Sequence, residues 1–291
     1  MRVRAAGISR GAWHLMVGRP YLVRLGTGLR APRRAIPGLE LAGEVVAVGD
    51  RTVGQAVGDE VVGVGRSTFA EYAVAPAAKL VPKPATLSFV EAVALPDVGT
   101  TALQALVDHG RLKAGQRVLV VGASGGVGLA AVQLAVGMDA EVTGVCSTAK
   151  IELVKAAGAT HVVEYTVDDL GDPSERYDLI LDIGGNRPVR QLRRLLAPRG
   201  TLVFVGGEDG GRWFGGLGRQ LRAVAGSPLR RGHTRMFVAN EKRSQLERVF
   251  ALVADEVLRP VVDRTYPLEE TGAAMDRLEA GEARGRLVIV P

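Results

Sequence analysis

Cysteine is almost absent from this sequence, since Cys146 is the single one in 291 residues. A lone thiol excludes an intramolecular disulfide and any structural metal site built from several thiolates. Long apolar runs are lacking as well. The basic amino terminus is interrupted before an apolar run reaches the length of a signal-peptide core, and no later stretch could span a bilayer. We therefore expect an intracellular protein with the cytoplasm as its location.

A concentrated basic surface is also lacking. The formal net charge of +6 comes mostly from arginine. The arginines are scattered along the chain and do not cluster among aromatic residues, so a nucleic-acid partner is not expected. With 47% hydrophobic and 23% charged residues, the chain can bury a substantial core. Its length suits two domains of ordinary size.

Two kinds of hydrophobic pattern follow one another along the chain. The first part, to about residue 83, is rich in valine, glycine and proline and predicts a β-rich region. Ser88, with Glu91 three residues later, predicts a capping box at the start of a helix. After Gly115, buried strands alternate with amphipathic helices, which predicts a parallel sheet flanked by helices. The predicted strands are 41–48, 60–64, 70–74, 117–121, 141–145, 161–163, 177–183, 201–205, 261–266 and 286–290, with a helix at 271–279.

A group of glycines follows the predicted strand 117–121 and opens a helix. Only glycine allows so tight a turn and so close an approach of a pyrophosphate, which the helix amino terminus then attracts. A second strand follows where a dinucleotide-binding unit requires one. A tight turn without a ligand is the less favoured alternative. The predicted cofactor-binding residues of this turn are Gly122, Ser124, Gly125, Gly126, Val127 and Gly128.

The end of the second strand indicates which dinucleotide is bound. Sites that prefer NAD usually carry an acidic residue there, about 20 residues after the first glycine, for the ribose hydroxyls. This chain has Ser147, Thr148 and Lys150 instead. Two hydroxyls and an ammonium suit a 2′-phosphate, so the sequence predicts NADPH as the cofactor. Capping of the next helix by Ser147 is an alternative that is compatible with this role.

Several motifs occur together in one order along the chain. They are Ile36-Pro-Gly-Leu-Glu40-Leu-Ala-Gly43-Glu-Val, Val57-Gly-Asp59-Glu-Val, Phe69-Ala-Glu71-Tyr72, Gly99-Thr-Thr101-Ala-Leu, the glycine turn and Ala157-Gly-Ala159. With them the chain resembles the medium-chain dehydrogenase/reductase superfamily, in its zinc-independent quinone oxidoreductase-like branch. The resemblance implies an α/β Rossmann domain with a doubly wound parallel sheet over 96–257. It also implies a β-rich GroES-like catalytic domain over 1–95 and 258–291, with the active site in the cleft between the domains.

Zinc-dependent relatives carry a Gly-His-Glu motif where this chain has Gly38-Leu39-Glu40, and leucine cannot ligate a metal. The cysteine ligands of those relatives fall near Ser9 and Asp97, and their four-cysteine structural loop is missing. No metal site is therefore expected.

Two departures from the zinc-independent branch concern the catalytic domain. Relatives open with two further strands before the segment at 2–7, so the resemblance implies that this chain lacks the first strands of the domain. Either the start of the chain is misplaced or the domain is truly trimmed. Trimming would expose the unpaired backbone of an edge strand, so we expect a longer form to be the functional one. Relatives also often show Asn-Pro-x-Asp before the aromatic residue, where this chain has Ser9 to Ala12 before Trp13.

The resemblance also implies roles for individual residues. Hydride passes from the nicotinamide to the substrate, and a hydroxyl or a water must stabilise or protonate the substrate oxygen. Ser9 and Tyr21 are the candidates for this role, although packing explains Tyr21 equally well. The resemblance places Thr101, a further catalytic candidate, near the nicotinamide. Asp182, Gly206 and Gly207 are expected at the same end, and Lys150 with Tyr165 beside the adenosine phosphate.

The segment 213–224 spaces apolar residues for one face of a helix, with Arg219 and Arg222 off that face. We expect it to pack over the cleft or at a subunit interface. Relatives are commonly dimers, so a homodimer is compatible with the sequence. Peripheral membrane association is the less favoured alternative. The apolar residues of the segment are Trp213, Phe214, Leu217, Leu221 and Val224.

The sequence thus favours an NADPH-dependent, zinc-independent oxidoreductase that transfers a hydride to a small quinone or α,β-unsaturated carbonyl substrate. The alternative is a catalytically weak NADPH-binding protein with a sensor or partner-binding role. Alcohol oxidation without zinc would need a general base that the sequence does not offer.

Overall fold

The structure is a computed structural model that describes residues 1–291 apart from 169, 171, 173, 208–210, 212 and 226–231. Its contacts divide the chain into unit 1, which comprises Met1–Thr100 and Asn240–Pro291, and unit 2, which comprises Thr101–Ala239. The strands are β1 (Arg2–Ile8), β2 (Glu40–Glu44), β3 (Glu60–Val64), β4 (Leu80–Pro82), β5 (Arg117–Val121), β6 (Glu141–Cys146), β7 (His161–Glu164), β8 (Tyr177–Asp182), β9 (Leu196–Phe204), β10 (His233–Met236), β11 (Val262–Pro267) and β12 (Arg286–Val290).

Helices connect most of these strands along the chain. The α-helices are α1 (Arg10–Val17), α2 (Arg24–Thr27), α3 (Phe89–Val93), α4 (Pro96–Leu103), α5 (Gly126–Gly137), α6 (Ile151–Ala156), α7 (Tyr165–Asp168), α8 (Val189–Leu195), α9 (Leu217–Ala225), α10 (Arg243–Ala254) and α11 (Thr271–Glu279). Short 3₁₀-helices lie at Tyr21–Val23, Ala77–Lys79, Thr148–Lys150 and Leu268–Glu270, and a π-helix at Gln104–His109.

Unit 1 is built on a mixed sheet with the strand order β11-β12-β1-β2-β3-β4. β11 and β12 are parallel, and the other neighbours are antiparallel. Apolar residues such as Ile8, Leu41 and Leu287 form its buried core. The predicted capping box is confirmed: Glu91 N donates to Ser88 Oγ at 3.2 Å, and Ser88 N donates to Glu91 Oε2 at 2.9 Å.

Two predicted strands of unit 1 differ from the structure. β2 ends at Glu44, whereas the predicted strand extended to residue 48. Val46 and Val48 are exposed, so extending the strand over them would bury no apolar surface. The segment 70–74 forms no strand in the described structure. It makes single bridges instead, from Tyr72 to Arg2 and from Val74 to Arg66. Alternation of apolar residues was a misleading signal because Tyr72 and Val74 both remain exposed.

The two ends of unit 2 differ from the sequence-based boundaries of 96 and 257. The first boundary falls within α4, and the chain returns to unit 1 at Asn240. α10 therefore belongs to unit 1, where it contacts β4.

Unit 2 is a parallel sheet with the strand order β10-β9-β8-β5-β6-β7. Val118, Leu119 and Val120 of β5 are fully buried, as the continuous apolar run predicted for a strand covered on both faces. The strand order changes direction between β5 and β8, and ligands of such sheets bind outside the carboxyl ends of the strands at this point. The structure confirms the predicted Rossmann-type fold class, with a GroES-like β-rich unit beside it in the chain.

Candidate cofactor and substrate site

The turn after β5 has a backbone that requires glycine. Gly122 has a φ of +89°, and a Cβ added to it would lie 2.9 Å from the backbone nitrogen of Gly184. A Cβ on Gly128 would collide with the carbonyl oxygen of Gly122. The two glycines therefore let the strand, the turn and α5 approach one another closely.

The amino terminus of α5 is open to a ligand. Gly125 is its N-cap residue and has no side chain to cap the first-turn amides, which belong to Gly126, Val127 and Gly128. A Cβ on Gly125 would have its nearest neighbour 3.7 Å away, at the oxygen of Gly122. The adjoining Ser124 is largely buried. Backbone amides at the positive end of a helix of this length are suited to a pyrophosphate.

The end of β6 carries the polar residues that the sequence predicted there. Ser147 precedes the 3₁₀-helix that contains Thr148 and Lys150, and its side chain makes no capping hydrogen bond. The Thr148 hydroxyl donates to Oε1 of the Glu164 carboxylate, and the Thr166 hydroxyl donates to the same Oε1 at 2.7 Å. These hydroxyls lower the pKa of Glu164.

Glu164 is a carboxylate at this end of the sheet that the residues after β6 do not indicate. It ends β7 and pairs in register with Cys146, the last residue of β6. The sequence-based expectation that no acidic residue lies at the ribose end rested on the residues at the end of β6 alone. The register of the neighbouring strand brings a carboxylate there, and local spacing contains no signal for such a contact.

Cations lie around the same end of the sheet. The guanidinium carbon of Arg187 lies 5.3 Å from the ring centroid of Tyr165. Burial raises the pKa of Cys146 and the charge of Glu164 raises it further, whereas the charge of Lys150 lowers it. Charges of both signs therefore act at the carboxyl end of β6.

The nicotinamide-end candidate Asp182 is fully buried, and both of its carboxylate oxygens are bonded within unit 2. Gly185 N donates to Oδ1 at 3.1 Å, and Arg219 donates through Nη2 to Oδ2 at 2.5 Å. Burial raises the pKa of Asp182, and the Arg219 charge opposes this rise. Arg219 also donates to the carbonyl oxygen of Arg187 and lies over the Phe204 ring.

The predicted turn glycines Gly206 and Gly207 follow β9 and are held by α9 and the residue before it. Gln220 Nε2 donates to Gly206 O at 2.7 Å, and Gly216 N donates to Gly207 O at 3.1 Å. A Cβ on Gly206 would collide with Ile183 O. The glycine turn, Asp182 and this turn thus share one edge of the sheet.

The predicted helix is present as α9, and its packing over the cleft or at a subunit interface stays a prediction. Trp213 and Phe214 precede the helix and are exposed, and Leu221 is 56% exposed. The buried residues are Gln220 and Ala223. The hydrogen bonds of Arg219 and Gln220 determine which face packs on the sheet, and a hydrophobic pattern cannot show them.

The substrate-side candidates Ser9 and Tyr21 lie in unit 1. Ser9 is buried and caps α1, where its Oγ accepts from Ala12 N at 3.2 Å. Tyr21 begins a 3₁₀-helix, and the Arg24 guanidinium carbon lies 4.5 Å from its ring centroid. Thr101 is buried in α4 at the start of unit 2.

A charge cluster in unit 1 includes Asp97, one of the positions compared with zinc ligands, and Glu40, which follows Leu39. Arg286 Nη2 donates to Glu40 Oε1 at 2.5 Å, and its Nη1 lies 3.5 Å from Asp97 Oδ2. Glu40 is 2% exposed. Burial raises its pKa to about 7 against the opposing charge of Arg286, while the Asp97 charge adds to the rise.

Metal-binding clusters and membrane-spanning helices are both lacking among the described residues. Within them no group of three or more His, Cys, Asp or Glu could hold a metal ion. Over the same part of the chain, no helix is long and apolar enough to cross a membrane.

Comparison with known proteins agrees with this architecture. Residues 1–85 match the alcohol dehydrogenase GroES-like domain, and residues 157–289 match a family described as zinc-binding dehydrogenase. The chain is 31% identical to the chloroplast envelope quinone oxidoreductase homolog of Arabidopsis thaliana, over 100% of this chain and 89% of that protein.

Solved structures show the same likeness. The quinone oxidoreductase from Coxiella burnetii matches with a TM-score of 0.85 and 27% identity, over 100% of this chain and 89% of that one. A mycobacterial protein solved in complex with NADPH matches with a TM-score of 0.82 and 25% identity, over 100% and 90%. The chain therefore belongs to the medium-chain dehydrogenase/reductase superfamily, as a quinone oxidoreductase-like oxidoreductase that uses a nicotinamide cofactor.

Proposed function

We propose that the protein is an NADPH-dependent, zinc-independent reductase of quinones or α,β-unsaturated carbonyl compounds. The observation that carries this proposal is the open amino terminus of α5 at Gly125, at the edge of the sheet where Asp182 and the turn at Gly206 also lie. The quinone oxidoreductase names of the relatives support the substrate class.

In this proposal, the amides at the start of α5 bind the pyrophosphate, with Gly122 and Gly128 allowing its close approach. Ser147, Lys150 and Arg187 supply hydrogen bonds and positive charge for a 2′-phosphate, and Tyr165 supports Arg187. Asp182 acts indirectly, since Arg219 and Gly185 occupy its carboxylate and fix the turn after β8.

The bound nicotinamide would supply the hydride. The residues of this chain then have to stabilise the substrate oxygen as negative charge develops on it. Ser9 Oγ accepts from Ala12 N, which leaves its hydroxyl hydrogen to donate to that oxygen. Tyr21 and Thr101 are the other hydroxyl donors that we propose for the substrate and the nicotinamide end.

Zinc does not fit the described residues around Leu39 in unit 1. The matched family description mentions zinc, but Leu39 offers no ligand atom, and the guanidinium of Arg286 lies against Glu40 and Asp97. A cation at this place would repel a metal ion. We therefore derive no step through a metal.

Two measurements test the function. The first titrates the protein with NADPH, and the second follows NADPH oxidation in the presence of a panel of quinones and enones. We expect saturable binding together with turnover of at least one class. Binding without turnover of any compound would favour the alternative role as an NADPH-binding sensor or partner-binding protein. Absence of binding would overturn both assignments.

A further inference from the structure

The carboxylate of Glu164 lies at the place where the adenosine ribose would be recognised in the proposed cofactor site. We propose that Glu164 is a specificity-determining residue that accepts a hydrogen bond from the ribose 2′-hydroxyl of NADH and opposes the 2′-phosphate of NADPH, so that the site binds both cofactors. This inference rests on the proposed function and adds the basis of its cofactor selectivity.

Glu164 lies at the carboxyl end of β7, next to the end of β6. In doubly wound sheets the ribose lies at the carboxyl end of the strand next to the glycine-turn strand, where an acidic residue on that strand usually binds its hydroxyls. In this chain that strand, β6, ends without an acidic residue. Glu164 ends β7 in register with Cys146, and its carboxylate accepts from the Thr148 hydroxyl. The neighbouring strand thus provides the carboxylate that β6 lacks.

The carboxylate of Glu164 accepts hydrogen bonds from two hydroxyl groups. Its Oε1 accepts from Thr148 and, at 2.7 Å, from Thr166. A ribose hydroxyl can take the place of either threonine hydroxyl, because it is a donor of the same kind. Glu164 is only partly buried, which allows a ligand to reach it.

Charges of both signs would act on a 2′-phosphate bound at this place. A 2′-phosphate brings about −1.5 to −2 charges close to Glu164, and the two bonded hydroxyls keep that carboxylate ionised by lowering its pKa. Lys150 and Arg187 attract the same phosphate. Opposing contributions of this kind give a modest preference for NADPH instead of strong discrimination. In water, repulsion between the Glu164 carboxylate and a 2′-phosphate at about 6 Å corresponds to roughly a five-fold weaker binding of NADPH.

The experiment measures dissociation constants of NADPH and NADH for the wild-type protein and Glu164→Gln by fluorescence titration. Adenosine 2′,5′-bisphosphate and adenosine 5′-monophosphate serve as probes of the ribose end alone. We expect Glu164→Gln to bind NADPH and the bisphosphate roughly five-fold more tightly, and NADH more weakly. Glu164→Asp should keep the wild-type preference, because it keeps the charge.

Glu152→Gln is the matched control. Glu152 is an exposed carboxylate on α6 that pairs with Lys155, so this variant changes the net charge of unit 2 equally. It should leave the NADPH-to-NADH ratio unchanged. An unchanged ratio in Glu164→Gln, or an equal change in Glu152→Gln, would overturn the inference while leaving the proposed function intact. If wild-type protein bound neither cofactor, the proposed function itself would fail, and the inference with it.

Discussion

Two glycines of the same turn have different structural roles. Gly122 needs its positive φ and lies against Gly184, whereas Gly125 has an extended backbone with open space around its Cα. We expect Gly122→Ala to lower the free energy of unfolding by at least about 1–2 kcal/mol, because an L-residue in this region is strained. Gly125→Ala should cost less than about 1 kcal/mol but should weaken NADPH binding, since its methyl group would occupy the open space. Urea unfolding and cofactor titration of both variants check this. Equal loss of stability in the two would contradict it.

The buried carboxyl of Glu40 predicts a pH dependence of stability. Its pKa is raised from 4.5 to about 7 in the folded protein, so the folded state holds a proton that the unfolded state releases. Stability should therefore fall as the pH rises between these values, by up to about 3 kcal/mol. Urea unfolding across this pH range measures the effect. In Glu40→Gln this part of the pH dependence should disappear, and a slope that persists unchanged would show that another group causes it.

At the level of elements, two serines at helix starts provide a direct comparison. Ser88 caps α3 through its side chain, while Ser147 makes no such bond at the following 3₁₀-helix. Ser88→Ala should lower the free energy of unfolding by about 1 kcal/mol. Ser147→Ala should leave stability nearly unchanged and weaken NADPH binding instead. Thermal unfolding and NADPH titration of both variants distinguish the two roles, and a loss of stability in Ser147→Ala would count against a cofactor role for that residue.

A buried ion pair joins α9 to β8. Asp182 is fully buried and Arg219 is 19% exposed in its side chain. Arg219→Met would leave a buried carboxylate without its partner, so we expect a loss of about 3–5 kcal/mol. Asp182→Asn combined with Arg219→Met should recover part of this loss. A double-mutant cycle in urea gives the coupling energy, and strictly additive losses would contradict a direct interaction.

These elements also show how far the sequence predicts the structure. Strands β3, β5 and β12 have their predicted bounds, because apolar runs and alternation report burial directly. α9 shows the limit of this signal. The apolar pattern gave no sign that Gln220 would be buried, since Arg219 and Gln220 bond to groups that are far away in sequence. The contact of Glu164 with Thr148 likewise depends on the register between two strands.

For the whole molecule, the order of the motifs along the chain was sufficient to predict the family and both fold types. The substrate side was less predictable, because its candidates Ser9 and Tyr21 also have local structural roles. NADPH was predicted from local spacing alone, through Ser147 and Lys150, and this spacing gives no sign of the carboxylate of Glu164 at the same end of the sheet. Contacts between distant segments therefore account for most of what the sequence did not reveal.

We propose that this protein transfers hydride from NADPH without zinc. The most direct test is a single-turnover reaction of chelator-treated protein with NADPH and the quinone or enone substrates, followed by the loss of the reduced-nicotinamide absorbance and by product analysis. We expect equimolar oxidised cofactor and reduced substrate at the same rate as in untreated protein. No reduction of any substrate, or a reduction restored only by added zinc, would contradict it.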